Sequence, residues 1–363
     1  MGSVRSQRFR SGLVAVFALA FTLEATAQAN PSAPSSTAPE GSAPNVPTLP
    51  GNGNAAPPGA TTEPPAEQDP AGQPSATQEP ASNDPGMFVF KKQVEEVVLH
   101  ATVVDERRQL VPYLDRAAFS VFENGAPQAI TSFRREDVPV AMGIVIDNSG
   151  SMRDKRDKVN QAVLNLIRAS NPQDEIFVVN FSQNYYLDQD FTSDSALLER
   201  ALHQVSMQGS TALYDAIIAS AVHLKNDPRL DKKVLLVITD GQDNMSQETL
   251  EEAARRLEQS NGPTLYAIGL MGGDARDPGH EALERLADGS GGVAFFPQSL
   301  DEVDLITRTV AHDIRSQYTL AYKPHNQNAK PEFQSVRVEA RASGHGRLTV
   351  RTRSGYYGAP SSH

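Results

Sequence analysis

The sequence predicts an α/β fold: a doubly wound, mostly parallel sheet that is inserted in, or flanked by, a β-sandwich. Between residues 139 and 317, short runs of β-branched and apolar residues alternate with segments of helical period. That order implies parallel strands joined by right-handed crossovers, with helices on both faces of the sheet. The flanks, residues 87–138 and 318–358, alternate apolar with polar residues instead, the pattern of half-exposed antiparallel strands. Neither flank has enough strands to stand alone. The economical solution pairs both flanks into one sandwich with the α/β segment between them.

Not all of the 363 residues belong to this body. Residues 1–27 read as a secretory signal. Arg5, Arg8 and Arg10 form a basic start, Leu13 to Leu23 an apolar stretch too short to span a bilayer comfortably, and Ala25-Thr26-Ala27 a small-x-small cleavage site. The alternative is an uncleaved anchor. Export to the periplasm or beyond is the expectation, with no membrane span in the mature chain. Residues 28–86 hold more than half of the prolines and almost no large apolar side chains. Nothing there offsets the entropy of ordering, so the stretch is expected to be a disordered, partly polyproline-extended tether.

In the first flank, Val97, Leu99, Ala101 and Val103 share one apolar face. Asp105 to Gln109 is turn-like. Phe119 to Phe122 and Gln128 to Phe133, joined at Asn124-Gly125, read as a hairpin. The middle segment begins with a buried strand, then a helix marked by Val159, Ala162, Val163, Leu166 and Ile167. Ile176–Phe181 is the next buried strand and Tyr185–Phe191 a short edge strand. Helices follow at Ser195–Val205 and around Leu213, Ile217, Ala221 and Leu224. Val234–Ile238 is a central strand and Leu250–Leu257 a helix. Thr264–Leu270, a short helix at Glu281–Ala287, Val293–Phe296 and a last helix at Val303, Ile306, Val310 and Ile314 complete it. In the second flank Tyr318, Leu320 and Tyr322 share a face. Val336, Val338 and Ala340, then Leu348 and Val350, alternate with charged residues.

The middle segment opens on Val140–Met152, V-A-M-G-I-V-I-D-N-S-G-S-M. Its apolar run, Met142 to Ile146, stops at Asp147, and turn residues follow before the helical pattern starts. In an open α/β sheet, ligands bind in the crevice beyond the carboxyl ends of the strands. Asp147, Ser149 and Ser151 stand there as one carboxylate and two hydroxyls at alternating positions. Those are oxygen donors for a hard divalent cation, Mg²⁺ above all, with Mn²⁺ or Ca²⁺ as alternatives.

This D-x-S-x-S motif after a buried strand resembles the metal-ion-dependent adhesion site of von Willebrand factor type A domains. That family completes its site with a Thr from a second loop and an Asp from the end of a later strand. Thr211, in Gly209-Ser210-Thr211, and Asp240, in Thr239-Asp240-Gly241, stand in that order. The resemblance covers the whole middle segment. It implies Asp147 as the anionic ligand, the Ser149, Ser151 and Thr211 hydroxyls as neutral ones, and Asp240 acting through a water. It implies a cation with surplus positive charge and one solvent position, which an Asp or Glu side chain of a partner protein takes. It also implies that Thr211 and the last helix shift between affinity states. The inserted arrangement is similar to that of integrin β chains. The strand-rich preface, the D-N-S-G-S-M core and the closing Gly355–Tyr357 resemble a secreted von Willebrand-type family abundant in acidobacteria.

Each residue also has a plainer reading. Asp147, Ser149, Ser151 and Thr211 could each cap backbone amides, and Asp240-Gly241 could be an ordinary turn. All of them together, in order and at strand ends, argue for a cation site. Asp215 and Asp243 are set aside as a helix-surface acid and a turn or cap residue.

Other function classes find little support. A net charge of −11 without a basic stripe argues against nucleic acid. With no cysteine there is no thiolate nucleophile, Cys-ligated zinc or lipoprotein anchor. The histidines are scattered without metal-ligand spacing. Haloacid-dehalogenase-type phosphotransferases need a second carboxylate where Ser149 stands, and Ser149-Gly150-Ser151 lacks the flanks of a nucleophile elbow. The expectation is therefore not an enzyme but an exported module that captures an acidic side chain of a partner. The alternative is a structural envelope protein whose cation only holds the fold.

Overall fold

The computed structural model describes residues 96–135, 137–203, 209–226, 229–272, 277–324 and 332–358. The expected leader at 1–27 and tether at 28–86 lie outside them. In chain order the first flank supplies β1 (Val97–Val104), β2 (Phe119–Glu123), β3 (Ala126–Gln128) and β4 (Ile130–Arg134). The middle segment runs β5 (Val140–Asp147), α1 (Arg156–Ala169), β6 (Glu175–Phe181), β7 (Tyr185–Thr192), α2 (Ser195–His203), α3 (Leu213–Asn226), β8 (Lys232–Thr239), α4 (Leu250–Leu257), β9 (Thr264–Gly269), α5 (Pro278–Ser290), β10 (Val293–Phe295) and α6 (Val303–Arg315). The second flank supplies β11 (Tyr318–Tyr322), β12 (Phe333–Ala340), β13 (Thr349–Arg351) and β14 (Gly355–Tyr357).

The flanks do pair with each other. One four-stranded sheet has the order β13-β1-β11-β4 and the other β14-β12-β2-β3, so each mixes strands from both ends of the described chain. Their inner faces hold Val97, Leu99, Ala101, Val103, Tyr318, Leu320 and Tyr322 of one sheet against Val121, Val336 and Val338 of the other. Alternation in the sequence and burial in the fold coincide because one face of each sheet packs and the other does not.

One expected strand is corrected. Asn124 and Gly125 do form the two-residue turn after β2, both at positive φ (49° and 81°). The returning strand, however, ends at Gln128, and Ile130–Arg134 pairs with β11 in the other sheet. Switching sheets at Ala129 gives each sheet of the sandwich an edge strand, which one continuous strand could not. Apolar alternation runs through both halves, so it did not mark the switch. The helix expected at Glu281–Ala287 is also longer. Asp277 caps it through Gly279 N at 2.8 Å, Pro278 starts it and Gly291 ends it at φ 90°.

The central sheet has the order β10-β9-β8-β5-β6-β7, parallel except for the edge strand β7. Every residue of β5 is buried. Met142, Ile144 and Ile146 face α1 and α6 through Val159, Val163, Leu166 and Val310. Ala141 and Val145 face the opposite layer through Ile217, Leu257 and Leu283. Gly143 shares that second face, where an added Cβ would meet the Phe177 ring and a Leu235 methyl inside van der Waals contact. Gly143→Ala is therefore expected to destabilise the protein by about 1–3 kcal/mol, the usual effect of overpacking a filled core. Urea unfolding of variant and wild type measures it.

Strand order places the site. From β5 the chain builds outward through β6 and β7, then returns to the other side of β5 with β8, β9 and β10. The order reverses between β5 and β8, and the loops leaving their carboxyl ends diverge there into a crevice. Asp147 ends β5, and Asp240 directly follows β8. Among the described residues no helix is long and apolar enough to cross a membrane.

Candidate metal centre

Asp147 is fully buried. Its Oδ1 accepts a hydrogen bond from Ser149 N at 2.7 Å, and its Oδ2 accepts one from the Thr239 hydroxyl at 2.6 Å. Burial raises its carboxyl above the ordinary carboxylate range. Hydrogen bonds from Thr239 and Ser149 pull it back, and the nearby charge of Asp240 pushes it further up.

The next two donors come from the short 3₁₀ turn Gly150–Met152 and the residue before it. Ser149 opens that turn without a side-chain capping bond. Its hydroxyl lies 3.1 Å from that of Ser151, and Ser151 Oγ donates to Asp240 Oδ1 at 2.8 Å. The side chain of Asp240 is itself inaccessible to solvent, and its second oxygen is paired with Lys155.

Thr211 enters on the loop before α3 and is buried. Two backbone ties fix it. Thr211 N donates to Asn244 Oδ1 at 2.9 Å, and Asn244 N donates to Thr211 O at 3.0 Å. Ala212 N donates to Ser182 O at 2.7 Å, anchoring the loop beside the end of β6. Thr211 Oγ1 lies beside the loop after β8: a Cβ built on Gly241 would meet it at 3.4 Å, an ordinary contact. Hydrogen bonds thus join Asp147, Ser149, Ser151 and Asp240 in series, whereas the bonds that fix Thr211 run from its backbone to Asn244.

Sequence reasoning missed the residues that hold these in place. Thr239 fixes Asp147; its hydroxyl also lies 3.3 Å from Gly241 O and accepts from Gly241 N at 3.2 Å. Arg156, 2% exposed, lies under the turn. It donates to Asp147 O at 3.2 Å, Asn160 Oδ1 at 2.9 Å, Asn180 Oδ1 at 2.6 Å, and to Asn148 Oδ1. Nothing in its sequence neighbourhood distinguishes it from a surface arginine in a first helical turn. Asp243 caps the start of α3 through Tyr214 N at 3.2 Å, as expected. Asp215 does more than face solvent: it accepts from Gln247 N and Glu248 N, both at 3.0 Å, and pins the loop after β8.

The segment from β5 to this loop matches the von Willebrand factor type A domain family over residues 142–242. The chain contains a von Willebrand factor type A domain. The match includes Asp147, Ser149, Ser151, Thr211 and Asp240. No curated protein matches the chain. Among solved structures it is similar to a von Willebrand factor type A protein from Catenulispora acidiphila, at 16% identity, 75% of this chain, 76% of that one and TM-score 0.43. It is also similar to proximal thread matrix protein 1 of the mussel byssus, solved with a zinc-occupied MIDAS motif, at 20% identity, 51% of this chain, 47% of that one and TM-score 0.41. A variant of the PilB minor pilin from Streptococcus sanguinis follows at 13% identity, 49% of this chain and TM-score 0.42. The chain spans 62% of that pilin's length.

The donor set of this von Willebrand domain fits a hard divalent cation. It offers only oxygen: two carboxylates and three hydroxyls. Among the described residues no group of three or more His, Cys, Asp or Glu converges, so a cation here depends on the hydroxyls. Asp147, Ser149, Ser151 and Thr211 would hold the ion, and Asp240 would orient its surroundings. When bound, the ion supplies a Lewis-acidic centre for a carboxylate.

Proposed function

We propose that this chain is an exported, metal-dependent protein-binding module. In this reading Asp147, Ser149, Ser151, Thr211 and Asp240 hold Mg²⁺, with Mn²⁺ or Ca²⁺ as substitutes, and the ion takes an Asp or Glu side chain of a partner protein. The observation that carries the proposal is the orientation of the serine hydroxyls. Instead of capping their turn, they face each other and Asp240, beside a fully buried Asp147 that a cation would neutralise. Mg²⁺ prefers six oxygen ligands and keeps waters, so a position open to an incoming carboxylate is natural chemistry. Type A domains serve as interaction modules, which supports binding over catalysis. The leader-like residues 1–27 and the absence of cysteine support export without a lipid anchor.

Calorimetry on chelator-treated protein tests the reading, with Mg²⁺ titrated first and glutarate second as a stand-in for a glutamate side chain. Saturable Mg²⁺ binding that disappears in Asp147→Ala is expected, with glutarate binding only to the Mg²⁺ form. Glutarate binding undiminished by chelator would exclude this function. Mg²⁺ uptake that raises thermal stability without any glutarate binding would favour the structural alternative.

A further inference from the structure

Lys155 is a charged group in direct contact with Asp240 to which the proposed function gives no part. It precedes α1, and its backbone is fixed: Lys155 N donates to Met152 O at 3.0 Å, and Val159 N donates to Lys155 O at 3.1 Å. Its ammonium pairs with Asp240 Oδ2, on the carboxylate whose Oδ1 accepts from Ser151. The lysine side chain keeps 29% exposure while that of Asp240 has none. The ammonium therefore stands at the border between the buried acid and the solvent from which a ligand arrives. Arg156, the other nearby cation, lies beneath the turn, and Asp188 lies opposite it across Asn180.

The charges at the centre then add simply. Asp147 would leave a divalent cation with surplus positive charge, and the buried carboxylate of Asp240, acting through a water, would offset that surplus and weaken the attraction for an anion. Lys155 restores one positive charge. It also competes with the ion for Asp240, so the same ammonium weakens the hold on the cation.

We propose that Lys155 is a specificity-determining residue that trades cation affinity for carboxylate affinity: paired with Asp240, it leaves the loaded centre with one net positive charge and so selects anionic carboxylate ligands. This rests on the metal-dependent reading above. Acting on charge, it moves the two affinities in opposite directions, which a merely structural lysine would not.

The test uses the full chain with Mn²⁺ as ion and acetate as ligand. Free Mn²⁺ is read by electron paramagnetic resonance, and acetate binding by the loss of water-proton relaxation at the protein-bound ion. Lys155→Met, which keeps the length of the stem and removes the charge, is expected to bind Mn²⁺ about tenfold more tightly and acetate about tenfold more weakly. Lys155→Arg, which keeps the charge, should stay within about threefold of wild type on both. If Lys155→Met leaves both affinities unchanged, or shifts both in one direction while wild type binds Mn²⁺ and acetate, the assignment of Lys155 is wrong and the metal centre stands. If wild type takes up no Mn²⁺, the metal-dependent reading fails and this inference with it. Circular dichroism of the variant, matched to wild type, shows that the folded site is what is being measured.

Discussion

Replacing Asp147 with Asn is expected to abolish divalent-ion binding while leaving the metal-free protein at least as stable as wild type. The two halves of this outcome have one cause. Asp147 is a fully buried carboxylate whose charge is answered mainly by hydrogen bonds from Ser149 N and the Thr239 hydroxyl. Asn preserves both contacts. Its oxygen accepts from Ser149 N, and its amide donates to Thr239 Oγ1, whose own hydrogen turns to Gly241 O, 3.3 Å away. The shape is kept and the buried charge removed.

The sign follows from the raised carboxyl. Native protein holds the Asp147 proton more firmly than unfolded protein does, so wild-type stability without metal falls as pH rises above the ordinary Asp range. The Asn variant has no such loss. The stability difference should be small near the unfolded Asp value, at about pH 4, and grow toward neutrality in favour of the variant. With Mg²⁺ at about a hundred times its dissociation constant, wild type should gain about 2.7 kcal/mol and the variant nothing. Urea unfolding at several pH values, with and without Mg²⁺, measures both. A variant that keeps the Mg²⁺-dependent gain would remove Asp147 from the ion's ligands.

How much of this was legible in the sequence depends on the range of the interaction concerned. Packing left a local trace. β5 reads as buried because Met142 to Ile146 are apolar without interruption, and the flanks read as half-exposed because Val97, Leu99, Ala101 and Val103 alternate with polar residues. The turn after β5 was legible too, since Asp147, Ser149 and Ser151 are neighbours. Thr211 and Asp240 needed a resemblance, as residues so far apart do not announce a shared crevice. Contacts that depend on tertiary placement left nothing to read. Asn244 clamps Thr211 from across a loop, and Lys155 meets Asp240 from another element. The sheet switch at Ala129 stayed hidden because alternation reports which face a residue takes, not which sheet it joins.

The most costly single change should be at Arg156, because its network is polar, buried and shared. The guanidinium binds the side-chain oxygens of Asn148, Asn160 and Asn180 and the carbonyl of Asp147. Those amides are engaged in turn. Asn160 donates to Leu202 O at 3.0 Å and Asn180 to Asp188 Oδ2 at 2.7 Å. Burial lowers the Arg156 pKa to about 10, and Asp147 and Asp188 oppose that fall, so the group stays charged at neutral pH. Arg156→Met fills similar volume but leaves three amide oxygens and a carbonyl without their donor. A loss of about 3–5 kcal/mol is expected, a large share of the stability of an ordinary domain. Arg156→Lys keeps the charge but cannot span the same set of acceptors, so it should fall between the two. Urea denaturation of the three proteins orders them. If Arg156→Met lost less than about 1 kcal/mol, the turn carrying Asp147, Ser149 and Ser151 would owe its position to the packing of β5 and α1 alone, and the arginine would be dispensable to the site.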